Sequence, residues 1–347
     1  MSSGSKVLIL GANSIGCLER SYASAFMEIG CSIKHIDTEE RWQKHSRFGD
    51  LGRSFFRFVS IEPWVAKGNR EIVLAAFEFR PNIVIVFGAE QVRAGCLAQI
   101  AANDPNVKIV LYWPDPLLRL SPSVLDCLCF YDFVFTFSRA QVAALKRLGV
   151  KRATWLPLAF DHNLHQCNRL LNGGNDKGAD VCFIGNHRPE RDALFQQLSS
   201  YGFVVKIWGS NDWVRSTTNK PLMKKLWQGR AIFGQEYARE VQRAKTVVNL
   251  VDQTTPGAAN MRYFEILGLG GVLLTQFPCE LVGEFPEGIS CVYFDDTKEL
   301  IEKLRIVLSD NDRCDKIGRA AEEKIMDAHT YVHRARQMLV DVFGFSL

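Results

Sequence analysis

Arg262 and Glu265 stand three residues apart in Asn260-Met-Arg-Tyr-Phe-Glu-Ile-Leu-Gly-Leu-Gly-Gly-Val-Leu-Leu-Thr275. On a helix that spacing puts them on one face, so a local salt bridge is the plain reading. At a helix start that opens into a cleft, the carboxylate instead accepts from both hydroxyls of a ribose, and the guanidinium offers charge to a diphosphate. A second cationic pair, Arg188 and Arg191, lies in Ile184-Gly-Asn-His-Arg-Pro-Glu-Arg191, where an apolar run ends in Gly185 and Pro189 suits a first helical turn. Guanidinium groups hold phosphate oxygens bidentately, whereas pairing with Glu190 or Asp192 leaves them as surface ion pairs. His187 beside them is a phosphate contact or a cap.

Two carboxylates in the first half suit a general base. Glu90 follows the Phe87-Gly88 end of an apolar run, and Asp115 sits between two prolines in Trp113-Pro-Asp-Pro116. Either accepts a proton from a hydroxyl nucleophile, or else they are a helix cap and a turn residue. Gly11-Ala-Asn-Ser-Ile-Gly16 opens a helix after the first apolar run, but the middle glycine of a dinucleotide fingerprint is replaced by Asn13. Asp37 stands where such a site keeps its ribose acid. Backbone N–H groups around Asn13 and Ser14 hold a phosphate or shape an acceptor pocket, or the loop is a tight turn. His162 and His165 have no metal-ligand spacing.

The elements that position these groups read as two halves. In the first, Lys6–Leu10, Ser32–Asp37, Asn82–Gly88, Val107–Tyr112 and Asp132–Thr136 are strand-like, with helical spacing over Glu71–Phe79 and Arg139–Leu148. Continuous apolar strands alternating with helices predict a parallel sheet covered on both faces. The rhythm restarts after the polar stretch Asn168–Gly178, a linker by composition. Strands are predicted at Asp180–Gly185, Val204–Trp208, Thr246–Val251, Gly271–Thr275 and Cys291–Phe294, a helix from Pro189, and mostly helix from Thr297. Ligands of open α/β sheets bind beyond the carboxyl ends of the strands, so the two halves are expected to face one another across a cleft.

The 347 residues suit two domains of roughly 150 residues each. Lys and Arg number 42 against 38 Asp and Glu, a net charge of +4 spread along the chain. That excludes the basic stripe of a dedicated nucleic-acid binder and fits an anionic small molecule held by a few arginines. The longest uncharged run, Ile266–Cys279, has 14 residues, short of the about 20 a membrane span needs. The start lacks an apolar signal region, and the ten cysteines have no CxxC pair. A cytoplasmic protein with reduced cysteines, no structural zinc and no membrane span is the expectation.

Here the chain resembles the CgeB-like (spore-maturation-type) group of GT-B glycosyltransferases. NMRYFEILGLGGVLLT is similar to that group's donor-site signature, preceded by Ala244-Lys-Thr-Val-Val-Asn-Leu250. Val292-Tyr-Phe-Asp-Asp296, Glu299–Leu304, Gly318-Arg319 and His329–Arg334 follow in that group's order. Tyr112–Pro116, Tyr131–Thr136 and Trp155–Leu158 match in the first half.

The resemblance implies two Rossmann-like, doubly wound domains, with an acceptor-binding domain over 1–158, a nucleotide-sugar domain over 179–329, and a tail helix over 330–347 crossing back. It implies a metal-independent transferase moving a sugar from a nucleotide-diphosphate sugar to an acceptor hydroxyl, with no cofactor. The acceptor is left open: glycan, protein, lipid head group or modified nucleic-acid base. Donor-site residues are then Gly185, Asn186, Arg188, Arg191, Gly209, Asn260, Arg262, Tyr263 and Glu265. Trp208-Gly209-Ser210 falls where loops lie near the nucleobase. Asn13 and Ser14 form an acceptor-side or phosphate loop, and Glu90 or Asp115 is the base. Many retaining members carry two glutamates eight positions apart; Glu265 matches the second, and the first falls on Gly257. Two other readings stay open, a sugar-nucleotide 2-epimerase-like enzyme and a non-catalytic sugar-nucleotide-binding subunit.

Overall fold

In the computed structural model the described residues are 4–39, 62–88, 90–166, 178–251, 254–255, 257–278, 280–281 and 283–344. The expected linker at 168–178 lies outside them except for its last residue. The chain divides into one unit made of Met1–Pro157 and Tyr331–Leu347, and another of Leu158–Thr330.

The first unit begins β1 (Lys6–Gly11), α1 (Leu18–Glu28), β2 (Ser32–Asp37), α2 (Glu62–Phe79), β3 (Ile83–Phe87) and α3 (Ala94–Asn103). It continues with β4 (Lys108–Trp113), α4 (Pro122–Cys127), β5 (Phe133–Thr136), α5 (Arg139–Arg147) and β6 (Ala153–Trp155). All six strands are parallel, in the order β2-β1-β3-β4-β5-β6. β3 is buried at every position and β1 at all but Lys6, as continuous apolar strands covered on both faces require. β6, only three residues long, carries no alternation of its own and was not predicted.

The second unit runs β7 (Val181–Ile184), α6 (Pro189–Ser200), β8 (Val205–Trp208), α7 (Asp212–Arg215), α8 (Lys220–Leu226) and α9 (Gly234–Arg243). Then come β9 (Thr246–Asn249), α10 (Met261–Gly268), β10 (Leu273–Thr275), β11 (Val292–Tyr293), α11 (Thr297–Leu308) and α12 (Asn311–Ala328). Its parallel sheet has the order β11-β10-β9-β7-β8. β10 starts two residues later than predicted, because Gly271 belongs to the turn and donates its N–H to Ile266.

The last helix, α13 (Tyr331–Phe343), returns to the first unit. Tyr331 packs its ring edge on Tyr22 of α1 at 5.1 Å, and Arg334 Nε donates to the Pro157 carbonyl at 3.1 Å. Both sheets are α/β layers with helices on either face. In the second, strand order reverses at β7, which has β8 on one side and β9 on the other. The crevice that such a reversal leaves beyond the strand ends is where open α/β sheets take ligands.

Candidate functional site

α10 starts beside that crevice, and local chemistry holds it there. Asn260 is its N-cap, with Oδ1 accepting from Tyr263 N at 3.1 Å. Its Nδ2 donates to Asn249 Oδ1 at the end of β9, 2.9 Å away, and to the Leu250 carbonyl at 3.4 Å. The Asn260 amide thus fastens the helix to the strand. Tyr263 points inward. It is fully buried, packs edge-on against Phe264 and Phe285, and its hydroxyl lies 3.2 Å from that of Tyr293. Every α10 residue from Tyr263 to Gly268 is buried, so only the first turn reaches the surface.

Arg262 and Glu265 do form an ion pair, from Nη1 to Oε2, but an interior one. The Glu265 side chain is 5% exposed and that of Arg262 29%. The guanidinium lies over the Tyr237 ring of α9, 4.7 Å from its centroid. A third residue completes the arrangement, because His165 Nε2 is 3.3 Å from Glu265 Oε1. Burial pushes the Glu265 carboxyl up, but the Arg262 charge and His165 outweigh it and hold the carboxyl at about 2. Both carboxylate oxygens have a partner, and Arg262 is the more exposed member of the ion pair.

His165 escaped sequence reasoning, which looked for metal spacing. The legible signal is Asp161, four residues earlier. Its carboxylate accepts from Asn163 N and Leu164 N at 3.0 and 2.8 Å, and its carbonyl from His165 N at 3.2 Å, closing one helix-like turn. Phe160 anchors that turn to α10 because Gly268 has no side chain; a Cβ there would stand 2.5 Å from the Phe160 ring. At Gly257, where many relatives of the resembled group carry a glutamate, φ is +87°, a conformation that disfavours any side chain.

The loop after β7 supplies the other arginines. Arg188 is the N-cap of α6, 3.9 Å from Glu190, and its side chain is 38% exposed. Arg191 folds back, donating to the carbonyl of Asn186 and lying over the Phe183 ring at 5.2 Å, while the Asn186 side chain is exposed. His187 is structural. Its Nε2 meets Asp192 Oδ1 at 3.0 Å, while Asp192 Oδ2 accepts from Thr217 Oγ1 and Thr218 N at 2.9 and 3.2 Å. That buried carboxylate ties the loop to the 217–218 segment. Gly185 and Gly209 meet each other: a Cβ on Gly209 would stand 2.3 Å from the Gly185 carbonyl, which accepts the Trp213 indole N–H at 2.8 Å. The glycine at 209 is thus required by packing within the unit.

In the first unit, two N–H groups of the Gly11–Gly16 loop meet carboxylates. Ala12 N donates to Glu19 Oε1 and Asn13 N to Asp37 Oδ2, each at 3.1 Å. Glu19 and Asp37 thus brace the turn in which the sequence reading placed a phosphate or acceptor loop. Ser14 is exposed, and its carbonyl accepts from Cys17 N at 3.3 Å. Glu90 is exposed, with its carbonyl accepting from Arg93 Nη1 and Ser123 Oγ. Asp115 pairs with Arg119 at 2.7 Å on the surface, and Gln141 Nε2 donates to its carbonyl at 3.3 Å. Among the described residues no group of three or more His, Cys, Asp or Glu is placed to hold a metal ion.

Residues 188–340 match the protein family described as glycosyl transferase-like. Among solved structures, sucrose-phosphate synthase from Thermosynechococcus elongatus superposes with a TM-score of 0.64 at 10% identity, covering 96% of this chain and 97% of that one. Anabaena Alr3699/HepE in complex with UDP-glucose gives 0.62 at 13% identity, over 98% and 100%. The fold is GT-B. UDP-GlcNAc 2-epimerase from Methanocaldococcus jannaschii shares it at 0.55 and 12% identity, over 93% and 99%. No curated protein matches by sequence. The GT-B chain is therefore glycosyl transferase-like from 188 to 340, which contains Arg188, Arg191, Arg262 and Glu265 and leaves out His165. No described helix is long and apolar enough to cross a membrane.

Proposed function

We propose that the protein transfers a sugar from a nucleoside-diphosphate sugar to an acceptor hydroxyl, without a divalent ion, and that the second unit binds the donor. The observation carrying this is Arg262, partly exposed at the start of α10 and paired with the buried Glu265. With Arg188 on the neighbouring loop it offers fixed positive charge at the crevice between β7 and β9. Such preorganised donors stabilise a departing diphosphate as its charge develops.

The Anabaena neighbour was solved with UDP-glucose, which makes UDP-sugars the first donors to test. We read Glu90 or Asp115 of the first unit as the base that takes the acceptor proton. The order of motifs supports membership of the CgeB-like group. The eight described cysteines are all free, which supports a reducing compartment such as the cytoplasm. A 2-epimerase shares the fold and uses no acceptor, so the products separate the two readings.

The test is calorimetry of wild type and Arg262→Ala with uridine, UDP and UDP-glucose. Loss of hydrogen bonds to a charged partner should weaken UDP roughly tenfold to a hundredfold and uridine far less. Equal affinities of the folded variant and wild type for UDP would remove Arg262 from the donor site.

A further inference from the structure

We propose that Asn69 is a positioning residue for Glu90, fixing the loop that carries this carboxylate at the carboxyl end of β3. An asparagine inside an α-helix is unfavourable, because its amide competes with the backbone for hydrogen bonds. Burial adds the cost of any polar atom left without a partner. Asn69 lies in the middle of α2 and is only 9% exposed, and its amide is spent on the loop. Nδ2 donates to the Val65 carbonyl at 2.7 Å and to the Gln91 carbonyl at 2.8 Å, and Oδ1 accepts from Arg93 N at 2.8 Å. The side chain thus pairs with the loop as a neighbouring strand does, taking one carbonyl and one N–H two residues apart.

The rest of the loop is anchored as well. The Glu90 carbonyl accepts from Ser123 Oγ of α4 at 3.0 Å and from Arg93 Nη1 at 2.8 Å. Arg93 Nη2 in turn is paired with Glu62 Oε1 at the start of α2, 2.8 Å away. Val92 is buried, and its carbonyl accepts from Cys127 Sγ of α4 at 3.5 Å. Each residue from Glu90 to Arg93 therefore has a backbone group bonded to a side chain of α2 or α4. Cys96 Sγ donates to the Asn69 carbonyl at 3.6 Å, joining the first turn of α3 to the same point.

The Glu90 carboxylate stands apart from this network. Glu90 is exposed, and among the described residues its carboxylate has no ion pair or hydrogen bond. Asp115, the other candidate base, has its carboxylate on Arg119 at 2.7 Å. A fixed backbone bearing an unengaged carboxylate at a strand's carboxyl end is preorganised to take a proton from a bound hydroxyl. Asn69 acts only through the loop, and its role rests on the reading of Glu90 as the acceptor-side base. A loop held for stability alone predicts an effect that does not depend on Glu90.

The experiment uses the full chain, with UDP-glucose as donor and water or p-nitrophenyl glucoside as acceptor, and reads UDP release. Asn69→Ala should lower kcat roughly tenfold to a hundredfold, the cost of misplacing a reacting group by about 1 Å. KM for UDP-glucose should stay within about threefold, since the donor is bound elsewhere. In Glu90→Gln the same substitution should lower kcat no further, although it lowers the urea midpoint equally in both backgrounds. Asn69→Gln keeps the amide and should recover part of kcat. Ser123→Ala removes only the hydroxyl on the Glu90 carbonyl, should lower kcat in the same direction, and decides the matter if Asn69→Ala does not fold. Unchanged kcat in the folded variants, or losses that multiply with that of Glu90→Gln, overturn the positioning role while leaving Glu90 as the base. Normal kcat in Glu90→Gln overturns the reading of Glu90, and the role of Asn69 with it. A wild type that releases no UDP overturns the transfer reading on which both rest.

Discussion

The Phe160 ring occupies the place where a side chain on Gly268 would stand, with Cγ 2.5 Å from an ideal Cβ. That contact carries His165, since the Phe160 ring stacks on it and Asp161 begins the turn that presents it. Gly268→Ala should therefore act at a distance from any ligand. Overpacking a filled interior costs about 1–3 kcal/mol, read as a lower urea midpoint, and UDP affinity should fall with it. Phe160→Leu in the same chain should recover part of the loss, because neighbouring substitutions couple. Equal midpoints for wild type and Gly268→Ala would show that the ring moves aside at no cost.

Glu265 gives the fold an acid sensitivity of known sign. Its carboxyl is lowered from 4.5 to about 2, so the unfolded state binds the proton first. The stabilisation is complete above pH about 4.5 and is lost as pH falls toward about 2. Unfolding free energy plotted against pH should therefore be less steep across that window in Glu265→Gln than in wild type, by up to one proton. Parallel curves would mean that the carboxylate is not held by Arg262 and His165.

Metal independence has a direct measurement. With arginines supplying the charge, transfer from the accepted UDP-sugar should run equally in excess chelator and in magnesium or manganese. Activity that vanishes with chelator and returns with either ion would replace the arginine scheme with a metal-bridged diphosphate.

The two carboxylates of the first unit separate acceptor chemistry from donor binding. Glu90→Gln and Asp115→Asn should leave UDP affinity within about threefold, while one of them lowers kcat by roughly a hundredfold or more. Asp115 has an exposed partner in Arg119, so Arg119→Ala serves as the control for lost pairing. Normal turnover in both carboxylate variants would leave proton removal to the departing phosphate.

Much of this molecule is written locally. Apolar runs such as Ile83–Phe87 and Val181–Ile184 end at glycine or polar residues and are separated by helical spacing, which is enough to specify two parallel α/β halves. The Asn260 cap and the shared helical face of Arg262 and Glu265 are equally local, being set within one turn. What the tertiary structure alone decided is which groups are already satisfied. Asn13 N finds Asp37 from 24 residues away, and Glu265 finds His165 from 100 residues away. Tyr263 turns inward because the far side of α10 is covered by Phe285 and Tyr293. Periodicity records the face a residue takes on its own element. Its hydrogen-bond partner depends on strand order and helix packing, which sum contacts over the whole unit and leave no trace in a window of a few residues.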